Sequence, residues 1–170
     1  MLNNWRISSF SGALLAAYFI PTWTLVAFQI IVSPIHGLYE QPSISVALFV
    51  SDHLHLSGVA TVRLAWLLAL ARVTVVAFFA VFLVFISRSS IRKSGDCNEA
   101  LAMALTIGSI ISFASMLMAS QVGEIGALRL HATELLMLLG TSIVLLVEPP
   151  ARPQTEPQAD QNTAAGLSLQ

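Results

Sequence analysis

The residues best able to do chemistry in this chain are ionisable side chains inside long apolar runs. Arg72 interrupts the run from Arg63 to Ile86, and His131 and Glu134 lie in a later run. An unpaired charge at mid-membrane costs roughly 2.5–3.5 kcal/mol on insertion scales. Arginine cannot relieve that cost by losing its proton. The sequence therefore predicts a bidentate contact between Arg72 and Glu134 that keeps both groups ionised.

Other polar side chains fall near the same depth. With a rise of about 1.5 Å per residue, Arg72 lies roughly 4–5 Å and Glu134 roughly 3 Å to the outer side of their span centres. His131 precedes Glu134 by one helical turn, so the two share a helix face. The predicted polar layer consists of Gln29, Arg72, Ser112, Ser115, His131 and Glu134.

Two interpretations of this polar layer compete. In the first, the layer is a structural clamp that fixes the register of the helices, the commoner role of buried polar pairs. In the second, it is a proton relay or a site for an anionic ligand. Arg72 would then be the fixed charge, and His131 and Glu134 would be the titrating members.

A metal or haem site is a further hypothesis. Its weak candidate ligands share one connection, the one after the first apolar run: His36, Asp52, His53 and His55. Two or three ligands do not close a metal site, so Glu40 or His131 would have to join them. Haem b requires axial histidines that face each other, and only His131 lies inside an apolar run. We expect solvated connection residues and no bound cofactor.

Composition sets the class of protein. The chain of 170 residues is 56% hydrophobic and 10% charged, with mean hydropathy +0.79, whereas soluble domains carry about 25% charged residues. A net charge of -1 argues against binding nucleic acid. The single cysteine, Cys97, excludes an intrachain disulfide and a cysteine-based zinc cluster. No nucleophile elbow, P-loop, dinucleotide fingerprint or HExxH motif occurs.

Four apolar runs are long enough to cross a membrane, at about 11–32, 60–86, 97–120 and 125–147. They predict an all-α integral membrane protein, a four-transmembrane-helix bundle in residues 1–148, followed by a disordered cytoplasmic tail in residues 149–170. Asp96 and Glu99 form a D-x-x-E pair typical of the start of the third helix.

The connection between the first two spans contains SISVALFV, which is too short to span a membrane. Its alternating apolar residues suggest a strand, but other apolar positions fit a helix face. An isolated strand would leave backbone groups without partners at a membrane surface. We therefore favour a short interfacial or re-entrant helix capped by Ser43.

Lysine and arginine set the expected orientation. They are concentrated in the loop 88–93 and at the termini, so the positive-inside rule predicts an N-in/C-in topology, with residues 33–58 outside. On the third span, small residues recur every fourth position and predict close helix packing: Ala100, Ala104, Gly108 and Ser112.

The functional expectation follows from these features. We expect a small non-enzymatic multi-pass protein of a bacterial inner membrane, either a homo-oligomer or an accessory subunit of a larger membrane complex. Its partners would be the lipid bilayer and other helices, with no nucleic acid. The alternative is a small transporter or proton-coupled protein that uses the polar layer. A third hypothesis is a redox subunit that binds haem or a metal.

Overall fold

Four long helices dominate the computed structural model, which describes residues 7–88 and 97–148. They are α1 (Ile7–Val32), α4 (Gly58–Ser87), α5 (Cys97–Val122) and α6 (Ile125–Val147). Each is long and apolar enough to cross a membrane, and no strand occurs in the described ranges. The prediction of an all-α fold with four helices long and apolar enough to cross a membrane is confirmed for the described residues. The predicted tail at 149–170 and Asp96 of the predicted capping pair lie outside the described residues.

The connection between α1 and α4 is helical as well. It contains α2 (Pro34–Tyr39) and α3 (Ile44–Phe49), and α3 continues directly into a π-helical turn, Val50–Leu54. We call residues 33–57 the connecting segment. The helix favoured over a strand is therefore present, and Ser43 occupies its N-cap position as predicted. The Ser43 hydroxyl makes no cap bond, while its backbone carbonyl accepts the N–H groups of Val46 and Ala47 at 3.0 and 3.3 Å.

The helices pack in an order that leaves one open seam. Helix α1 packs along α4, α4 along α5, and α5 along α6, while α6 contacts α1 only sparsely. Gly123 joins α5 to α6 with a φ of 71°, a left-handed conformation that glycine adopts without strain. In the connecting segment, α2 packs on α1 and α4, and α3 packs on α5. The segment therefore folds back onto the bundle.

Two apolar clusters form the core. The first contains Phe19 stacked on Phe79, with ring centroids 5.7 Å apart, together with Phe82 and residues from all four long helices. The second lies where the connecting segment meets α1 and α4, around Ile30 and Leu38. On α4 the second cluster ends at Ala69 and the first begins at Val75. The turn that contains Arg72 therefore separates the two clusters.

Gly37 allows α2 to approach the backbone of α1. A Cβ at this position would lie 2.8 Å from both the Cα and the N of Ile30. Because backbone atoms cannot rotate away, we expect Gly37→Ala to lower the free energy of unfolding by about 1–2 kcal/mol. Thermal unfolding in detergent measures the effect.

Gly140→Ala is the matched control, since a Cβ there meets nothing within 4 Å. Alanine in the middle of a helix is favoured over glycine by roughly 0.5–1 kcal/mol. The Gly140→Ala variant is therefore expected to be slightly more stable than the original chain. Equal unfolding midpoints for the two variants would contradict the close approach of α2 to α1.

Candidate functional site

Five of the six side chains predicted for the polar layer are buried together between the two apolar clusters. Their exposed fractions are 0–3%: Arg72, Ser112, Ser115, His131 and Glu134. Gln29 is exposed and does not belong to the layer. The buried face of α1 runs through Trp23, Ala27 and Ile30. Gln29 follows Ala27 by two residues, which places it on the opposite side of the helix.

The Glu134 carboxylate is the centre of a hydrogen-bond network. Its Oε1 accepts a hydrogen bond from Nε1 of Trp23 on α1, at 3.2 Å. Its Oε2 accepts one from the hydroxyl of Ser112 on α5, at 3.4 Å. The same Oε2 lies 3.0 Å from Nδ1 of His131, one turn earlier on α6. One carboxylate thus joins three of the long helices.

His131 shares a proton with Glu134. Its Nε2 lies 3.0 Å from the backbone carbonyl of Pro42, which has no proton to give. Nε2 must therefore donate to Pro42. The remaining nitrogen, Nδ1, either donates to the Glu134 carboxylate or accepts the proton of the carboxylic acid. In both arrangements the His131–Glu134 pair carries no net charge.

Arg72 makes a different set of contacts from the one predicted. Its Nη1 donates to the hydroxyl of Ser43 at 3.0 Å, and its guanidinium carbon lies 5.8 Å from the centroid of the Trp23 ring. Its Nε is buried without a hydrogen-bond partner among the described residues. A cation over an indole ring is stabilised by the negative face of the ring. The arginine is therefore bonded to the connecting segment and stacked on Trp23.

The predicted bidentate contact between Arg72 and Glu134 is not formed. Within the described residues, the ion pair recorded for Glu134 is with His131 alone, and Arg72 has none. The carboxylate oxygens are already taken by Trp23, Ser112 and His131. Trp23 instead bridges the two groups, because its N–H bonds Glu134 and its ring faces Arg72.

Comparison with known proteins assigns no family to this chain. No protein-family model, no curated protein and no solved structure matches the chain. The geometry of the polar layer is therefore the basis on which its function is inferred.

Two neighbouring residues of the connecting segment enter the network. The Pro42 carbonyl bonds His131 on α6, and the Ser43 hydroxyl bonds Arg72 on α4. These bonds hold the segment over the polar layer. No sequence signal identified this contact, because the irregular turn around Pro42 has no periodicity that would fix its position.

The candidate metal and haem ligands of the connecting segment make local contacts. His36 lies 3.4 Å from Glu40, and both side chains reach solvent. The His53 ring stacks on Phe49, and His55 Nδ1 lies 2.8 Å from the Ser51 carbonyl. In the part of the chain that the structure describes, no three His, Cys, Asp or Glu side chains are grouped to hold a metal.

Haem ligation by His131 has a specific structural cost. Both ring nitrogens of His131 are engaged, one by Pro42 and one by Glu134. An axial bond to iron would have to replace one of these contacts.

The small residues of α5 face the interior of the same chain. All four are buried: Ala100, Ala104, Gly108 and Ser112. A Cβ on Gly108 would meet Leu138 of α6 at 3.4 Å and Val75 of α4 at 3.7 Å. The small residues thus let α5 pack closely between its two neighbours.

Glu148 has a structural contact that its place near the chain end did not suggest. Its Oε2 accepts a hydrogen bond from the backbone N–H of Ser8, at 3.2 Å. The first N–H groups of a helix lack partners within the helix, and the positive end of the helix dipole favours an acidic group there. Glu148 thus stabilises the start of α1 from the end of α6.

Proposed function

We propose that this chain is a small non-enzymatic membrane protein that acts as an accessory or self-associating subunit of a membrane complex. The observation that carries the proposal is the closure of the polar layer. Arg72, His131 and Glu134 are each at least 97% buried. Their hydrogen bonds end on other residues of the chain. A closed network suits a clamp that fixes helix packing better than a path for a substrate.

The outward faces of the helices support assembly in a membrane. Large apolar side chains point away from the core on all four long helices, among them Phe28, Trp66, Phe113 and Leu136. In a bilayer these faces contact acyl chains or the helices of a partner. Self-association or docking to a larger complex would use this surface, while the internal clamp keeps its shape constant.

The proposal includes an orientation in a bacterial inner membrane. Arg88 directly follows α4 and precedes Arg92 and Lys93 in sequence, so the positive-inside rule puts this end and both termini in the cytoplasm. The connecting segment then lies on the outer side. Arg72 lies roughly 21 Å along α4 from Gly58. Because Ser43 bonds Arg72, the connecting segment would be re-entrant.

A second candidate function, a small transporter, is favoured by one observation. The connecting segment covers the polar layer, and the bonds from Pro42 and Ser43 tie it to His131 and Arg72. Breaking these bonds would expose a cation and a proton-sharing pair to the outer side. The connecting segment would then act as a gate.

Cysteine accessibility separates the two functions. In a Cys97→Ser background, Ser112→Cys places a thiol in the layer and Ser51→Cys places one on the exposed connecting segment. A membrane-impermeant thiol reagent is expected to label the Ser51→Cys variant and leave the Ser112→Cys variant unlabelled. Labelling at position 112 would contradict the clamp and favour the transporter.

The assembly itself is tested by native mass measurement and crosslinking in intact membranes. A subunit of a complex is expected to appear as an oligomer or with a co-purifying membrane partner. A monomer without any partner, across several mild detergents and in membranes, would contradict the proposal.

A further inference from the structure

Two adjacent residues of the connecting segment are held by side chains that can both carry a positive charge. Nη1 of Arg72 bonds the Ser43 hydroxyl, and Nε2 of His131 bonds the Pro42 carbonyl, each at 3.0 Å. Because neighbouring Cα atoms are about 3.8 Å apart, the two bonded nitrogens lie within roughly 11 Å of each other. A positive charge on His131 is therefore close to the one that Arg72 always carries.

Glu134 is the group that compensates these charges. It is the only buried carboxylate in the part of the chain that the structure describes. Its Oε2 lies 3.0 Å from Nδ1 of His131, and its negative charge attracts the Arg72 cation. With one shared proton, either His131 is neutral or its charge is balanced by the Glu134 carboxylate. The closed polar layer thus depends on this pair holding a single proton.

A second proton on the His131–Glu134 pair removes this compensation. Glu134 becomes a neutral acid and His131 becomes a cation, so the described layer then contains two cations and no carboxylate. At about 11 Å and an effective dielectric constant of about 20, the repulsion of two unit charges corresponds to roughly a tenfold change in an equilibrium constant. A form of the layer that admits water binds the second proton more tightly, and acid therefore favours that form.

The turn at 40–43 is the part of the connecting segment best placed to move. It separates α2 from α3, which have 6 residues each. Gln41 in this turn is exposed, so the turn can leave the layer without crossing the packed helices. Displacing it breaks the bonds of Pro42 and Ser43, while the intrahelical bonds of α4 and α6 remain.

We propose that acid releases the turn at 40–43 from Arg72 and His131 and so opens the polar layer to water. The release rests on the proposed function, since it requires a layer that is closed at neutral pH. It adds a regulation of that layer, in which the proton count of the His131–Glu134 pair sets whether the connecting segment is attached.

The other groups that face the pair do not change charge between neutral and acid pH. Tyr18 of α1 interacts electrostatically with Glu134, and a phenol stays neutral over this range. Helix α5 presents the hydroxyl of Ser112, and the connecting segment presents a carbonyl and a hydroxyl. Besides the permanent cation of α4, the pair itself is therefore the source of the change in charge.

Hydrogen–deuterium exchange on the full chain in mixed micelles tests the release. The N–H of Ser43 is bonded to Glu40, and those of Val46 and Ala47 are bonded to Ser43, so these amides report on the turn. Exchange is compared at about pH 7.5 and about pH 5, on either side of the pH at which an ordinary histidine changes charge. Labelling times are scaled for the intrinsic exchange rate. We expect opening of the turn to be about tenfold more frequent at the lower pH, the factor that corresponds to the repulsion.

Two substitutions each remove one of the two cations. His131→Gln keeps an N–H that can bond Pro42 but does not titrate, and it is expected to lose most of the acid effect. Arg72→Met removes the other cation and is expected to do the same. His36→Gln is the matched control, because it removes the exposed pair with Glu40 beside the turn, and it is expected to keep the full effect.

Equal exchange of the turn at the two pH values in the original chain would overturn the proposal, and this measurement needs no variant. An increase spread evenly over all four long helices would overturn it too, since acid would then unfold the whole bundle. So would a full acid effect in the His131→Gln variant, or its loss in the His36→Gln variant. None of these results contradicts the proposed function, which fails instead if position 112 is labelled at neutral pH.

Discussion

Replacing Glu134 with alanine is expected to lower the free energy of unfolding by about 3–5 kcal/mol, the usual cost of breaking a buried charge pair by removing one member. The substitution removes the acceptor of Trp23 and Ser112 and the proton-sharing partner of His131. A buried donor without an acceptor loses its hydration and gains nothing in return. The three helices that meet at this carboxylate would lose their common polar contact.

Chemical denaturation in mixed micelles measures this effect. Glu134→Gln is expected to fall between the original chain and the alanine variant, because an amide oxygen can still accept from Trp23. Glu99→Ala is the matched control at an exposed glutamate and is expected to change stability by less than about 0.5 kcal/mol. A Glu134→Ala variant as stable as the Glu99→Ala variant would show that the network contributes nothing to the fold.

Replacing Arg72 with methionine is expected to have the opposite sign and to raise the free energy of unfolding, because an unpaired charge inside a membrane span costs roughly 2.5–3.5 kcal/mol on insertion scales. The guanidinium is almost fully buried, yet it donates one hydrogen bond, to Ser43, and its Nε has no partner in the described structure. The Glu134 carboxylate makes no direct contact with the cation, because its oxygens are bonded to Trp23, Ser112 and His131. The free-energy cost of desolvating the guanidinium is then larger than the stabilisation from its contacts. A methionine of similar length fills the same space without this cost.

The same denaturation assay tests this prediction. Arg129→Met, at an exposed arginine of α6, is the control and is expected to be near neutral. A lower stability for the Arg72→Met variant would mean that attraction between Arg72 and Glu134 outweighs the desolvation cost. If the expected gain is measured, the arginine is retained for a role other than stability.

The sequence allowed the helices to be predicted well, and the reason is physical. Backbone groups in a bilayer must be satisfied within each segment, so an apolar run of sufficient length forms a helix. The fourth helix has the predicted bounds, 125–147, whereas α1 begins at Ile7, four residues before the predicted start. Ser8 and Ser9, in this additional turn of α1, are buried against the rest of the chain, and hydropathy does not report such contacts.

The depth of the polar layer along the helices could be predicted, but which of its side chains contact each other was harder to predict. Helix rise alone places Arg72 and Glu134 at similar depths. Which way each side chain points depends on the rotation of its helix, and that rotation is set by packing between helices. Trp23 lies on the face of α1 that packs inward, so it takes the position between the two charges. A single sequence gives no measure of that rotation.

The bond between Pro42 and Ser43 has a mechanical consequence. A peptide unit is planar and rigid. Here the Pro42 carbonyl is hydrogen-bonded to His131 on α6, and the side chain of the next residue, Ser43, is hydrogen-bonded to Arg72 on α4. This rigid unit therefore links α6 to α4. A molecule that pulled on the connecting segment would strain both attachments at once, and the shift would reach the indole of Trp23, where absorbance and emission report it.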